Sequence, residues 1–143
     1  MNVTDLDVAA VRAFLEGDQQ KHRQLRDQLD GRDGYSALLF TAFYEALKRK
    51  FGKHGGREEI IEFVGDVRSR SEKAESDIDP LTAEQVIRNV LHSEVIADID
   101  DATVVQYQVM LLAVLVSDEA FDDDQLDKFL ATARTLADHM LNA

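Results

Sequence analysis

The sequence predicts an all-α protein, a single-domain globular bundle of about six helices joined by short loops over residues 1–143. Three observations carry that expectation. Apolar residues recur at spacings of three and four rather than two, the helical period. Only one proline and seven glycines punctuate the 143 residues, too few for a strand-and-turn protein. The length and the 45% hydrophobic content are enough to build one core without staples.

The first helix is expected to start at Thr4 as N-cap, with Asp5 and Asp7 near its positive end and Val8, Val11, Phe14 and Leu15 on one face. Gly17 weakens its end. Residues 18–30 are mostly polar, with Leu25 and Leu29 four apart, and either extend this helix or form a second, partly exposed one. The segment 35–51 is apolar on most faces through Leu38, Leu39, Phe40, Phe43, Tyr44, Leu47 and Phe51, so it is expected to lie deep. Lys48, Arg49 and Lys50 complement the dipole in its last turn and Gly52 stops it.

Residues 58–70 begin with acids, end with bases and carry Ile60, Phe63, Val64 and Val67 at helical spacing, an amphipathic helix. The polar segment 69–80 reads as a loop. Thr82 with Gln85 then has the form of a capping box, flanked by a Leu81 to Val86 hydrophobic staple, and starts a helix reaching about Ala97 through Ile87, Val90, Leu91 and Val95. Residues 98–101 break it. The uncharged segment 102–116 is the most apolar in the chain and is expected at the centre of the bundle. After an acidic turn, a last helix carries Leu126, Phe129, Leu130, Ala133, Leu136, Ala137, Met140 and Leu141 on one stripe. The hairpin of the last two helices and the hairpin preceding the loop are expected to pack face to face.

Composition restricts function. The absence of cysteine excludes disulfides, thiol nucleophiles and iron–sulfur clusters. No basic n-region with an apolar h-region opens the chain, and the uncharged run between Asp101 and Asp118 is shorter than the roughly 20 apolar residues of a membrane helix. A cytoplasmic protein without membrane contact is expected. The formal charge is −12, and all of the excess lies in the second half. Residues 1–73 hold 13 bases and 13 acids, whereas residues 74–143 hold 3 bases and 15 acids. That half repels phosphates and attracts basic proteins or cations. One basic cluster, Lys48, Arg49, Lys50, Lys53, His54 and Arg57, surrounds three glycines. A nucleic-acid domain would carry a basic face and a pI above about 9, against 4.6 here, so no nucleic-acid partner is expected.

The densest set of oxygen ligands is Asp118, Glu119, Asp122, Asp123, Asp124 and Asp127. Of these, Asp118, Asp122, Asp123 and Asp124 are the candidate ligands of a divalent cation. The acids are consecutive and lack the glycine and alternation of an EF-hand. The simpler reading makes Asp122 or Asp123 an N-cap with its neighbours at the positive end of the last helix. The stretch Ser117-Asp118 followed by Phe121-Asp122-Asp123-Asp124-Gln125 resembles the acidic helix-turn-helix element of TerB-like tellurite-resistance proteins. That resemblance implies an all-helical fold and a divalent cation at this turn. Glu119 stands where that family places a glycine, and the N-terminal half offers the basic residues 48–50 instead of a matching acidic turn. Family membership is not read from it.

His22, His54, His92 and His139 are scattered, without the spacing that puts two ligands on one helical face. Glu94, among Val90, Leu91 and Val95, is expected to be half buried. Phosphate-loop, nucleophile-elbow and kinase motifs are absent from the sequence. The expectation is a non-catalytic interaction module, without a resident cofactor, whose acidic half meets a basic protein partner or the chain's own basic cluster in a homodimer. Glu119, Asp127, Lys48, Arg49, Lys50, Lys53 and Arg57 are the candidate contact residues. Two alternatives are a regulatory domain binding a divalent cation at 118–127 and a small-molecule pocket near Tyr35, Tyr44 and Glu94.

Overall fold

The structure is a computed structural model that describes residues 1–52 and 54–143. Among the described residues it is all-helical with no strand and has eight helices, two more than expected. They are α1 (Asp5–Leu15), α2 (Gln19–Asp27), α3 (Asp33–Phe51), α4 (Arg57–Ser69), α5 (Glu72–Asp77), α6 (Pro80–His92), α7 (Asp101–Glu119) and α8 (Asp123–Leu141). No helix among the described residues is long and apolar enough to cross a membrane.

Thr4 caps α1 as expected. Its hydroxyl accepts the Asp7 N–H at 3.1 Å, and the Asp7 carboxylate accepts the Thr4 N–H at 3.0 Å. Asp7 is thereby buried at the junction with α3, where a Cβ on Gly34 would fall 2.3 Å from its Oδ2. The α1–α3 approach therefore requires glycine at position 34. The polar stretch after Gly17 forms a separate helix, α2, which buries no residue. It is held by His22, whose Nε2 lies 2.7 Å from the Tyr35 hydroxyl and whose ring rests 5.5 Å from that of Phe14. Burial, then the nearby Arg26 charge, lowers the His22 pKa, while burial raises that of Tyr35.

The hub is α3. It packs most extensively on α8, then on α7, α1 and α6, and it buries Ala37, Leu38, Thr41, Ala42, Phe43, Ala46, Leu47 and Phe51. Arg49 meets Glu119 at one end and Ser36 and Phe40 face Val105 and Val109 towards the other, so α3 and α7 run parallel. Helices α4 to α6 form the crossover that a parallel pair needs. On the other side α8 runs antiparallel to α3, and α7 and α8 share little contact beyond their turn. The expected hairpins therefore do not form as units: α3 lies between α7 and α8, and α4 packs on α6 and α5 rather than along α3.

Three sequence expectations fail around the crossover. Residues 72–77 are helical rather than a loop, because Ser71 caps Ala74 N–H at 3.0 Å and Arg68 ties the Glu75 and Ile78 carbonyls at 2.9 and 2.8 Å. The start of α6 is set by Asp79, not Thr82. Asp79 Oδ2 accepts both the Thr82 N–H (2.9 Å) and its hydroxyl (2.8 Å), Pro80 occupies the first turn, and Leu81 is 65% exposed rather than stapled. Those two hydrogen bonds hold the Asp79 carboxyl below the usual carboxylate range. The helix ends at His92, since Ser93 turns left-handed at φ 57°, and Val95 lies 91% exposed instead of continuing the stripe.

The centre is also not where hydrophobicity alone placed it. Only Leu111, Leu112, Leu115 and Val116 of α7 are buried, all in its second half. The centre is α3, whose deep position the apolar segment 35–51 predicts.

Capping by Asp79 predicts that Asp79→Ala lowers stability by about 1 kcal/mol and Thr82→Ala by less. Parallel urea melts measure both, and a larger loss for Thr82→Ala would contradict this assignment.

Candidate interaction surface

The acidic turn forms where α7 ends. Ala120 takes the left-handed conformation at φ 50°, and Asp122 caps α8 by accepting the Gln125 N–H at 2.8 Å while Gln125 Oε1 accepts the Asp122 N–H at 3.0 Å. The other carboxylates except Asp124 face arginines of α1, α3 and the C-cap of α4. Asp118 takes a two-pronged contact from Arg70 of α4's C-cap, both oxygens at 2.8 Å, with Asp66 on the same guanidinium at 2.8 Å. Arg70 therefore holds the Asp118 carboxyl below its usual range, and its own pKa is raised by these bonds. Glu119 pairs with Arg49 of α3, whose guanidinium also lies 4.9 Å from the Phe121 ring centroid. Arg12 of α1 bridges Asp127 and Asp123, the latter at 3.2 Å. Asp124 sits exposed in the first turn of α8 and has no ion-pair partner among the described residues.

The basic cluster is dispersed by the same contacts. Lys48 lies 3.4 Å from Glu45 and over the Tyr44 ring, Lys50 stands 5.7 Å over Phe63, and Arg57 is exposed at the start of α4. Lys53 lies outside the described residues. The two sites expected to recruit each other between molecules thus meet within one chain through Arg49 and Glu119. Arg12 and Arg70 complete the arrangement. Sequence inspection missed both, because each lies more than 45 residues from its acid and no local spacing marks the pair.

Four acidic groups were candidate cation ligands. Among the described residues no group of three or more His, Asp or Glu side chains gathers as a metal site needs, and Asp118, Asp122 and Asp123 already serve Arg70, the α8 cap and Arg12. The expected polar pocket is also not assembled. Tyr35 faces His22, Tyr44 lies under Lys48, and Glu94, exposed rather than half buried, sits 3.0 Å from Arg88 Nε beyond the end of α6. His92 reaches the Gly55 carbonyl at 2.8 Å, tying the end of α6 to the start of α4.

What the arrangement leaves partly uncovered is one side of the first half of α7, whose Val104 and Tyr107 pack on the core. Val105 is 54% exposed and Phe40 of α3 37% exposed, and between them lies a cleft of about 100 Å³ completed by Ser36, Leu39, Gln108 and Val109. Asp100 caps this helix on Thr103 N–H (3.2 Å) and hydroxyl (2.7 Å), which lowers its pKa, and Asp98 and Asp101 stand exposed beside it. None of the three has an ion-pair partner among the described residues.

Compared with protein-family models, with curated proteins and with solved structures, the chain matches none of them. The likeness of residues 117–125 to TerB-like proteins therefore rests on those residues alone.

The pairing of Arg70 with Asp118 predicts a coupling energy between about 0.2 and 1 kcal/mol, as for an exposed ion pair. A double-mutant cycle with Arg70→Gln and Asp118→Asn in low-salt urea melts measures it. Strictly additive losses would show that the contact does not form in solution.

Proposed function

We propose that the protein is a non-catalytic helical interaction module whose acidic C-terminal half engages a basic protein partner. One observation carries this reading. No lysine or arginine occurs between Arg88 and Lys128, and within that span Asp118, Glu119, Asp123 and Asp127 are matched by Arg70, Arg49 and Arg12 while Asp98, Asp100 and Asp101 are not. Unmatched charge that persists in a fold raises the encounter rate with opposite charge and disfavours wrong partners. The free acids border exposed apolar side chains, the combination of steering rim and desolvating centre found in recognition surfaces. The internal pairing at the turn also speaks against self-association through Lys48, Arg49 and Glu119. Arg49 and Glu119 would first have to release each other.

The test is quantitative affinity purification of the tagged chain from an extract of its own source cells, comparing it with Asp98→Asn/Asp101→Asn, in EDTA and in calcium. The expected result is a basic protein captured in either buffer and depleted at least fivefold by the double substitution. Capture that ignores the substitution contradicts the reading. Capture that requires calcium and is lost with Asp122→Asn would instead favour a cation site at the turn.

A further inference from the structure

We propose that the cleft between the N-terminal halves of α3 and α7 is the docking site of a partner's basic amphipathic helix. This rests on the interaction reading above and assigns its surface and the chemistry of its partner.

Val105, Gln108 and Val109 lie in helical register with Leu112, Leu115 and Val116, so the side of α7 that is buried in its second half continues into its first half. The second half of that face is buried and the first half is not, because α3, running parallel, offers Phe40 and Leu39 at one side of a gap. Two parallel helices with an apolar gap between them form the kind of trough in which a third helix lays apolar side chains spaced i, i+3 or i+4, and i+7. The cleft volume of about 100 Å³ admits a single large side chain at its centre, with Phe40 and Val105 as its walls. Ser36 and Gln108 supply hydroxyl and amide groups at the edge.

Charge selects the occupant. Asp101 precedes Val105 by one turn on the same face, and Asp33 precedes Phe40 by two turns on α3. Because the two helices are parallel, both acids stand at the same end of the trough, joined there by Asp98 and Asp100. Arg26 and Arg32, which stand near Tyr35, form no ion pair with these acids among the described residues. A helix with lysines or arginines flanking its apolar stripe is complementary to that end. A second copy of this chain is not. It would bring another formal charge of −12 to the same surface, with no base between Arg88 and Lys128 to meet Asp98 and Asp101.

The probe is a fluorescein-labelled 18-residue helix of leucines at the docking spacing with lysines elsewhere, and its counterpart with glutamates in place of lysines. Fluorescence anisotropy with the full chain is expected to show binding of the lysine peptide only. Val105→Glu, at a position already exposed and so tolerated by the fold, is expected to weaken it at least tenfold. Leu81→Glu, at an exposed apolar position elsewhere, is expected to leave it unchanged, and melting curves report that both variants are folded. Equal loss in the two variants, or none in Val105→Glu, overturns the assignment to this cleft. If neutralising Asp98 and Asp101 still abolishes binding in that case, the acidic-surface reading stands while the cleft falls. Absence of binding to the parent chain overturns the proposal. So does a dimer in sedimentation that Val105→Glu dissociates, since a second copy then fills the trough.

Discussion

The fold depends on how closely α3 and α8 approach. Ala37, Thr41, Ala133 and Ala137 are all buried, and the small side chains allow the Thr41 hydroxyl to reach the Ala133 carbonyl of the facing helix at 2.8 Å. The same hydroxyl lies 3.1 Å from the Ala37 carbonyl and 3.3 Å from the Leu38 carbonyl of its own helix, so it is satisfied within α3 as well, and the cross-helix contact marks how closely the two backbones come together. With that contact set, α3 lies at the middle, and α1, α6 and α7 take the faces that remain. The N-terminal segment is drawn onto α8 as well. Val3 N–H donates to Asp138 at 2.7 Å and Arg134 reaches the Val3 carbonyl and Asp5, both at 2.8 Å.

Placing α3 at the centre has an electrostatic consequence. Arg12 of α1, Arg49 of α3 and Arg70 at the C-cap of α4 all end near the α7–α8 turn and match four of its acids. The far end of α7 receives no such partner. Charge segregated in the sequence is therefore arranged differently in the fold, and Asp98, Asp100 and Asp101 stand unpaired among the described residues beside the exposed Val105. The two features reinforce each other, since an apolar surface rimmed by one sign of charge discriminates between partners better than either alone.

Much of this was legible in the residues. The helical class, the caps at Thr4 and Asp122, the deep position of α3 and the stripe of α8 follow from periodicity and capping chemistry, which act over a few residues. The failures have the same root. Thr82 with Gln85 fits a capping box by type, yet Asp79 before Pro80 is the better acceptor and the better helix start, and two adjacent signals cannot both be the cap. The short α5 is stabilised by Arg68 from the preceding helix, a tertiary contact. Val95 suits a stripe until Ser93 turns the chain aside. The central position expected of α7 failed because hydrophobicity measures what a helix is able to bury, while the neighbours decide how much of it is covered. The pairing of Arg12 and Arg70 with the acidic turn was invisible for that reason too, and with it the cleft at Phe40 and Val105.

In this arrangement α3 is the buried hub and α7 is fully buried only in its second half. Amide hydrogen exchange, resolved to peptides of these two helices in the free protein, tests it most directly, because protection follows the burial and cooperativity of each segment. The account predicts that residues 38–47 of α3 and 111–116 of α7 exchange last, and that residues 102–109 exchange well before them. Protection of 102–109 equal to that of α3, or early exchange of α3 itself, would contradict it.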